Sequence, residues 1–208
     1  MTREEYQSSF RVFRKGALKE ALDARKFEIA LYWKRTQYFW AIIAATFAGY
    51  AVLVSSSKES STNDESYLAQ FALVCLGVVF SLGWYLVNRG SKYWQTNWER
   101  HVTLLEDDII GPLFKTRRTE EDLSWWKLNG AYRFSVSKVN QFVSLFVFIF
   151  WLLLFLRYVL ASFKILVLCA DHDWTIVFMG SWTVVIIICL LFFSRGGTKD
   201  NGGPTMPA

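Results

Sequence analysis

Four stretches of the chain are apolar over the length a bilayer demands. Crossing a hydrocarbon core of roughly 30 Å takes about 20 helical residues at 1.5 Å each. The stretches are residues 38–54, 68–87, 139–160 and 174–193. The third, containing FVSLFVFIFWLLLFLRYVL, is the bulkiest. The first is short at its centre but is flanked by aromatic side chains that suit a membrane interface.

Helical periodicity continues beyond these runs. Neither Gly nor Pro occurs between Ala17 and Ala48, and Leu18, Leu22, Ile29, Trp33 and Trp40 recur at steps of four or seven, which predicts one shared helix face. Lys19, Lys26 and Lys34 fall off that face. A helix entering the first span unbroken would hold about 35 residues and reach roughly 50 Å, so part of it should project as a stalk. After the second span, Trp94, Trp98, Val102 and Leu105 keep helical spacing until Gly111-Pro112 ends the element; Gly90 is a candidate kink. Thr119 with Asp122 predicts a capping box opening a short helix EEDLSWWKL, which Asn129-Gly130 stops. Ser135 or Ser137 is the expected N-cap of span three. The Gly/Pro-rich end, GGTKDNGGPTMPA, is expected to be disordered.

The predicted fold is therefore all-α: a four-span helical membrane protein with long helices projecting into a small cytoplasmic layer. Its parts are a stalk helix over 1–37, spans one and two over 38–87, a helical cytoplasmic loop over 88–138, spans three and four over 139–193, and a tail over 194–208.

Composition and charge refine this layout. Hydrophobic residues make up 53% and charged residues 20%, at a mean hydropathy of +0.22, which suits a chain divided into apolar spans and charged segments. Lys and Arg crowd the segment before span one and the segment between spans two and three; the remaining connections and the end of span three hold only Lys58, Arg157 and Lys164. The positive-inside bias then puts both termini and the central loop in the cytoplasm. The outer connections SSSKESSTNDES and CADHD leave little room for an outer domain. Cys75, Cys169 and Cys189 lack paired spacing and read as buried hydrophobes, not as a disulfide or zinc framework. MTREEYQSSFRVFRKG has no apolar core of a cleavable signal peptide.

Few residues suggest chemistry. Ala41, Ala45 and Gly49, with Ala44 and Ala48 beside them, form a small-residue ridge on span one; Gly77 and Ser81 repeat the spacing on span two. Such ridges let helix backbones approach closely, either between subunits or, as the plainer reading has it, within one chain. Asn140 and Gln141, with Ser144, stand at the mouth of span three, where amides either bond neighbouring helices or line a pore. Lys34, Arg35, Trp40 and Arg157 suit lipid headgroups, Arg157 by reaching the interface from the end of span three. Asp171-His172-Asp173 could ligate a metal, but three adjacent side chains rarely converge on one ion, and Asp173 also suits an N-cap. Glu106-Asp107-Asp108 reads as a solvated helix end and His101 as a surface histidine. No Walker loop, G-x-S-x-G, H-E-x-x-H or Cys-x-x-Cys motif occurs, so neither an enzyme nor a bound cofactor is expected. The cations lie near membranes, so anionic lipid is the expected partner and nucleic acid is not.

FEIALYWKRTQYFWAIIAATFAGY, SLGWYLVNRGSKYWQTNWERHVTLLEDDIIGPLFK and RFSVSKVNQFVS, with the spacing between them, resemble the RipA-like bacterial inner-membrane proteins, described as octameric. The resemblance covers residues 27–144. It implies a multi-pass protein of the bacterial inner membrane with cytoplasmic termini, assembled as a homo-oligomer and linked to envelope or stress adaptation and intracellular growth. It transfers no catalytic residue. Trp33, Trp94 and Trp98, on the stalk faces, join the small-residue ridge as expected contacts of a ring. The leading expectation is a self-assembling protein that organises the envelope. A channel lined by Asn140 and Gln141 is the alternative, and a membrane enzyme built on His101 or Asp171-His172-Asp173 stands behind both.

Overall fold

The computed structural model describes residues 2–56, 64–116, 134–168 and 174–193. All regular structure among them is helical: α1 Arg3–Ser9, α2 Arg14–Ser56, α3 Asp64–Leu105, α4 Val136–Leu168 and α5 Trp174–Phe193. α2 has 43 residues and α3 has 42, each about 60 Å long at 1.5 Å per residue. Three helices are long and apolar enough to cross a membrane, within Arg14–Ser56, Glu65–Leu105 and Val136–Ala161. α5 carries a shorter apolar stretch, Thr175–Leu191.

Local signals account for the helix limits. Thr2 caps α1 in a full capping box: its hydroxyl accepts from the Glu5 N–H and the Glu5 carboxylate accepts from the Thr2 N–H. Ser135 Oγ accepts from the Lys138 N–H, which makes it the cap of α4 as the spacing predicts. α3 runs through Gly90 as one continuous helix. Beyond α3 the chain turns at Gly111, whose φ of +73° lies in the left-handed region that glycine enters without steric cost. The predicted helix at 120–128, the Asp173 cap and the tail lie outside the described residues.

The described residues fall into two units. One comprises residues 2–33, 90–116 and 134–138. Its core is Tyr6 of α1, Leu18 and Ala21 of α2, and Val102 and Leu105 of α3, with Phe10, Leu22 and Trp98 packed against them. The other comprises residues 34–56, 64–89, 139–168 and 174–193. Its core is Phe71, Val74, Cys75 and Val78 of α3 with Trp151, Phe155 and Tyr158 of α4. Phe47 and Tyr50 of α2 and Ile176 and Met179 of α5 close around it.

The inward stripe of α2 differs from the predicted one. Leu18, Ala21, Tyr32, Thr36, Ile43 and Thr46 are buried, whereas Trp33 and Trp40 are 40% and 51% exposed. The expected row of large apolar residues lies about 65° around the helix from the real one at 100° per residue. Thr36 sits at the middle of the true stripe because it has hydrogen-bonding partners there. On α3, Trp98, Val102 and Leu105 do pack inward, but Trp94 is 47% exposed and Gln95 is buried beside the expected row.

Candidate functional site

Four short polar side chains meet inside the second unit. Thr36 of α2, Asn88 of α3, and Asn140 and Ser144 of α4 are each 7% exposed or less. Asn88 Oδ1 accepts from Asn140 Nδ2 at 3.1 Å and from Thr36 Oγ1 at 3.5 Å. Asn140 Nδ2 also donates to Thr36 Oγ1 at 3.3 Å, and Asn88 Nδ2 donates to Ser144 Oγ at 3.3 Å. Ser144 Oγ donates in turn to the Gln141 carbonyl at 2.9 Å. Three helices are thus tied at one level by neutral donors and acceptors that largely satisfy one another, as buried polar groups must be.

A second polar contact ties the same helices elsewhere. Tyr158 Oη donates to Gln70 Oε1 at 2.7 Å, and Gln70 Nε2 donates to the Leu53 carbonyl at 3.3 Å. Aromatic rings fill the unit's apolar core. Phe47 lies 4.6 Å from Trp151 between centroids, and Phe71 stacks on Phe155 at 5.7 Å and 20°. Gly77 has a definite job here: a Cβ at that position would overlap the Trp151 indole.

The expected site residues sort into three groups. Asn140 faces inward as an interhelical donor, and Gln141 beside it is half-buried. Gly77, Ser81 and Gly49 serve packing within the chain. Ser81 is fully buried and donates back to the Gly77 carbonyl at 2.6 Å, and a Cβ on Gly49 would press on Leu73 at 3.2 Å. Gly77 meets α4, not span one as the plainer reading had it. Ala41 and Ala45, by contrast, are exposed, and so are Ala44, Ala48 and Ala51. Lys34, Arg35, Trp40 and Arg157 are exposed. Trp33 and Trp94 pack edge-on against their chain neighbours Tyr32 and Tyr93, while Trp98 joins the core of the first unit.

Two expectations in the first unit are corrected. His101 is half-buried, not a surface residue, with Nδ1 2.6 Å from Tyr6 Oη. Burial pushes its imidazole below the usual histidine range and pushes the Tyr6 phenol up. Glu106 is fully buried, not solvated, and its Oε2 accepts from the Phe114 N–H at 2.7 Å, which braces the turn through Gly111. Asp107 and Asp108 do meet cations: Asp107 pairs with Arg3 and Lys115, and Asp108 with Arg14. Hydrogen bonds from Lys115 and Arg3 hold the Asp107 carboxyl below its usual range. No group of three or more metal-ligating side chains converges among the described residues, and Asp171-His172-Asp173 lies outside them.

A model of the octameric membrane protein family (8xMP) matches residues 15–160. The chain belongs to that family. The match covers α2 and α3, and α4 through most of its length, and so takes in every residue of the polar joint. No curated protein and no solved structure matches the chain. Thr36, Asn88, Gln70 and Tyr158 escaped the sequence reading. A usable signal existed: Thr36, Asn88 and Asn140 each stand at the edge of a predicted span, on the side expected to face the cytoplasm and at matching depth.

Proposed function

We propose that this 8xMP-family protein is a four-span subunit of a homo-oligomeric ring in the bacterial inner membrane, with cytoplasmic termini, and that it organises the envelope without catalysing a reaction. The observation that carries this reading is a contrast between two exposed helix faces. α4 turns Phe142, Phe146, Ile149, Phe150, Leu153 and Leu160 outward, all bulky. α2 turns outward Ala41, Ala44, Ala48 and Ala51, spaced 3, 4 and 3. Apolar surface gains little by leaving lipid, so helices associate there through close fit, which small side chains permit and bulky ones hinder. The period of 3.5 matches a left-handed helix pair. The alanine face of α2 is then the seam toward the next copy, and the bulky face of α4 meets acyl chains.

The exposed cations fit the same arrangement. Lys34 and Arg35 precede the apolar part of α2, and the Arg89 guanidinium lies over the Tyr85 ring, 5.7 Å from its centroid. These groups, with Trp40, would hold the cytoplasmic edge against anionic headgroups. Arg157 would do so at the opposite edge.

Native mass measurement in nanodiscs tests the seam. Ala44→Trp is expected to shift the particle to smaller species while leaving insertion intact, and Phe146→Ala to leave its mass unchanged. An unaltered oligomer in Ala44→Trp rejects the α2 face. Complementation tests the role: cells lacking the protein should lose envelope integrity, and the wild-type chain but not Ala44→Trp should restore it.

A further inference from the structure

The N-terminal helix is docked by a small number of identifiable contacts. Tyr6, only 6% exposed, closes the cluster of Leu18, Ala21, Val102 and Leu105. Its hydroxyl meets His101 Nδ1 at 2.6 Å, and the two rings lie 5.7 Å apart. The Trp98 ring lies 5.4 Å from the same imidazole. Gln7 Nε2 donates to the Leu104 carbonyl at 3.0 Å. With only seven residues, α1 has little helical stability alone, so docking decides whether it persists.

The charges around this contact are committed elsewhere. Arg3 from α1 and Lys115 pair with Asp107, and Arg14 of α2 pairs with Asp108. Arg25 of α2 and Lys92 of α3 pair with Glu99, while Arg100 is exposed. Burial lowers the proton affinity of the His101 imidazole, and no carboxylate among the described residues forms an ion pair with it. Protonation need not break the hydrogen bond, because the Tyr6 oxygen can accept from a charged imidazole. It places a poorly solvated cation beneath α1, and undocking returns that cation to water.

We propose that His101 makes the α1 contact an acid-sensitive latch: the neutral imidazole keeps α1 seated through Tyr6, and the charged imidazole releases it, uncovering Leu18, Ala21, Val102 and Leu105. The sign follows from linkage. Docking depresses the proton affinity of the group, so docked stability is complete above the free histidine range and is lost as pH falls through it. Asp107 works against confusion in this window, since its carboxyl is held ionised to lower pH than usual.

Hydrogen exchange of the full chain in nanodiscs, corrected for the intrinsic pH dependence, tests the latch. Between pH 7.5 and 5, α1 amides should lose protection while amides of α4 do not. The expected loss is roughly tenfold for each pH unit by which docking depresses the imidazole. His101→Gln should abolish that acid step, and Asp107→Asn should retain it. An equal step in wild type and His101→Gln, or no step in wild type, overturns the proposal. Should His101→Gln leave α1 unprotected at every pH, wild type alone decides. Exchange at the imidazole C2 position reports the titration of His101 separately from His172, the only other histidine. Coincidence of that titration with α1 release supports the latch, and separate midpoints overturn it.

Discussion

The second unit buries two layers that differ in what holds them. The polar joint of Thr36, Asn88, Asn140 and Ser144 is made of directional bonds between short side chains. The aromatic layer around Phe71, Trp151 and Phe155 is made of shape, down to the absent Cβ of Gly77. In water the aromatic layer would dominate, because apolar burial drives folding. Within a bilayer the driving force between apolar helices is packing and hydrogen bonding instead. The aromatic layer therefore contributes contact area, and the joint contributes registry: sliding any of the three helices by one residue would separate its amide or hydroxyl from its partners. The first unit works differently again, with a smaller apolar cluster rimmed by ion pairs to Asp107 and Asp108.

This contrast ranks the effects of substitution. Trp151→Ala should be the most damaging, lowering stability by about 3–5 kcal/mol through the cavity it leaves. Thermal unfolding in detergent measures it. Gly77→Val should cost about 1–3 kcal/mol by overpacking, and the two changes together should cost less than their sum. Strict additivity would mean that Gly77 does not exist to seat the indole. Asn88→Ala removes three side-chain bonds from the joint. At roughly 0.6 kcal/mol for each interhelical bond, it should cost about 2 kcal/mol. A loss as large as that of Trp151→Ala would reverse the ranking of shape over hydrogen bonding. Ser81→Ala should be the mildest, within about 0.5 kcal/mol, because its hydroxyl serves a carbonyl of its own helix and bridges nothing.

Much of the architecture could be read before any coordinates. Apolar run length announced the helices of the second unit, and the gap-free stretch from Ala17 announced that α2 is far longer than a span. Ser135 marked the start of α4. Other features were missed for a common reason: their meaning depends on a partner distant along the chain. His101 is ninety-five residues from Tyr6. Without that partner it looks like any charged-neighbourhood histidine, although Thr2 and Glu5 could have announced α1 through their capping-box spacing. Trp33 and Trp94 lie off the inward stripe because each step of four residues advances about 40° around a helix at 100° per residue, so a row drawn in such steps faces inward over only part of its length. Glu106 was read as solvated because a carboxylate usually is. Its burial depends on the Phe114 N–H that the Gly111 turn delivers.

Element type, length and the sidedness expected of the charges are local or summed properties of the chain, and periodicity and composition suffice for them. Which small residues face a neighbour inside the chain and which face outward is not such a property. Gly77 and Ala44 look alike in sequence, each a small residue in an apolar run. Packing separates them: Trp151 of α4 fills the space before Gly77, and Ala44 is exposed. The same holds for Thr36, a polar residue on a helix whose inward side becomes tolerable only where Asn88 and Asn140 arrive to bond it. A hydrogen bond or an occupied volume needs two partners in space, and that pairing is what folding adds to the pattern along the chain.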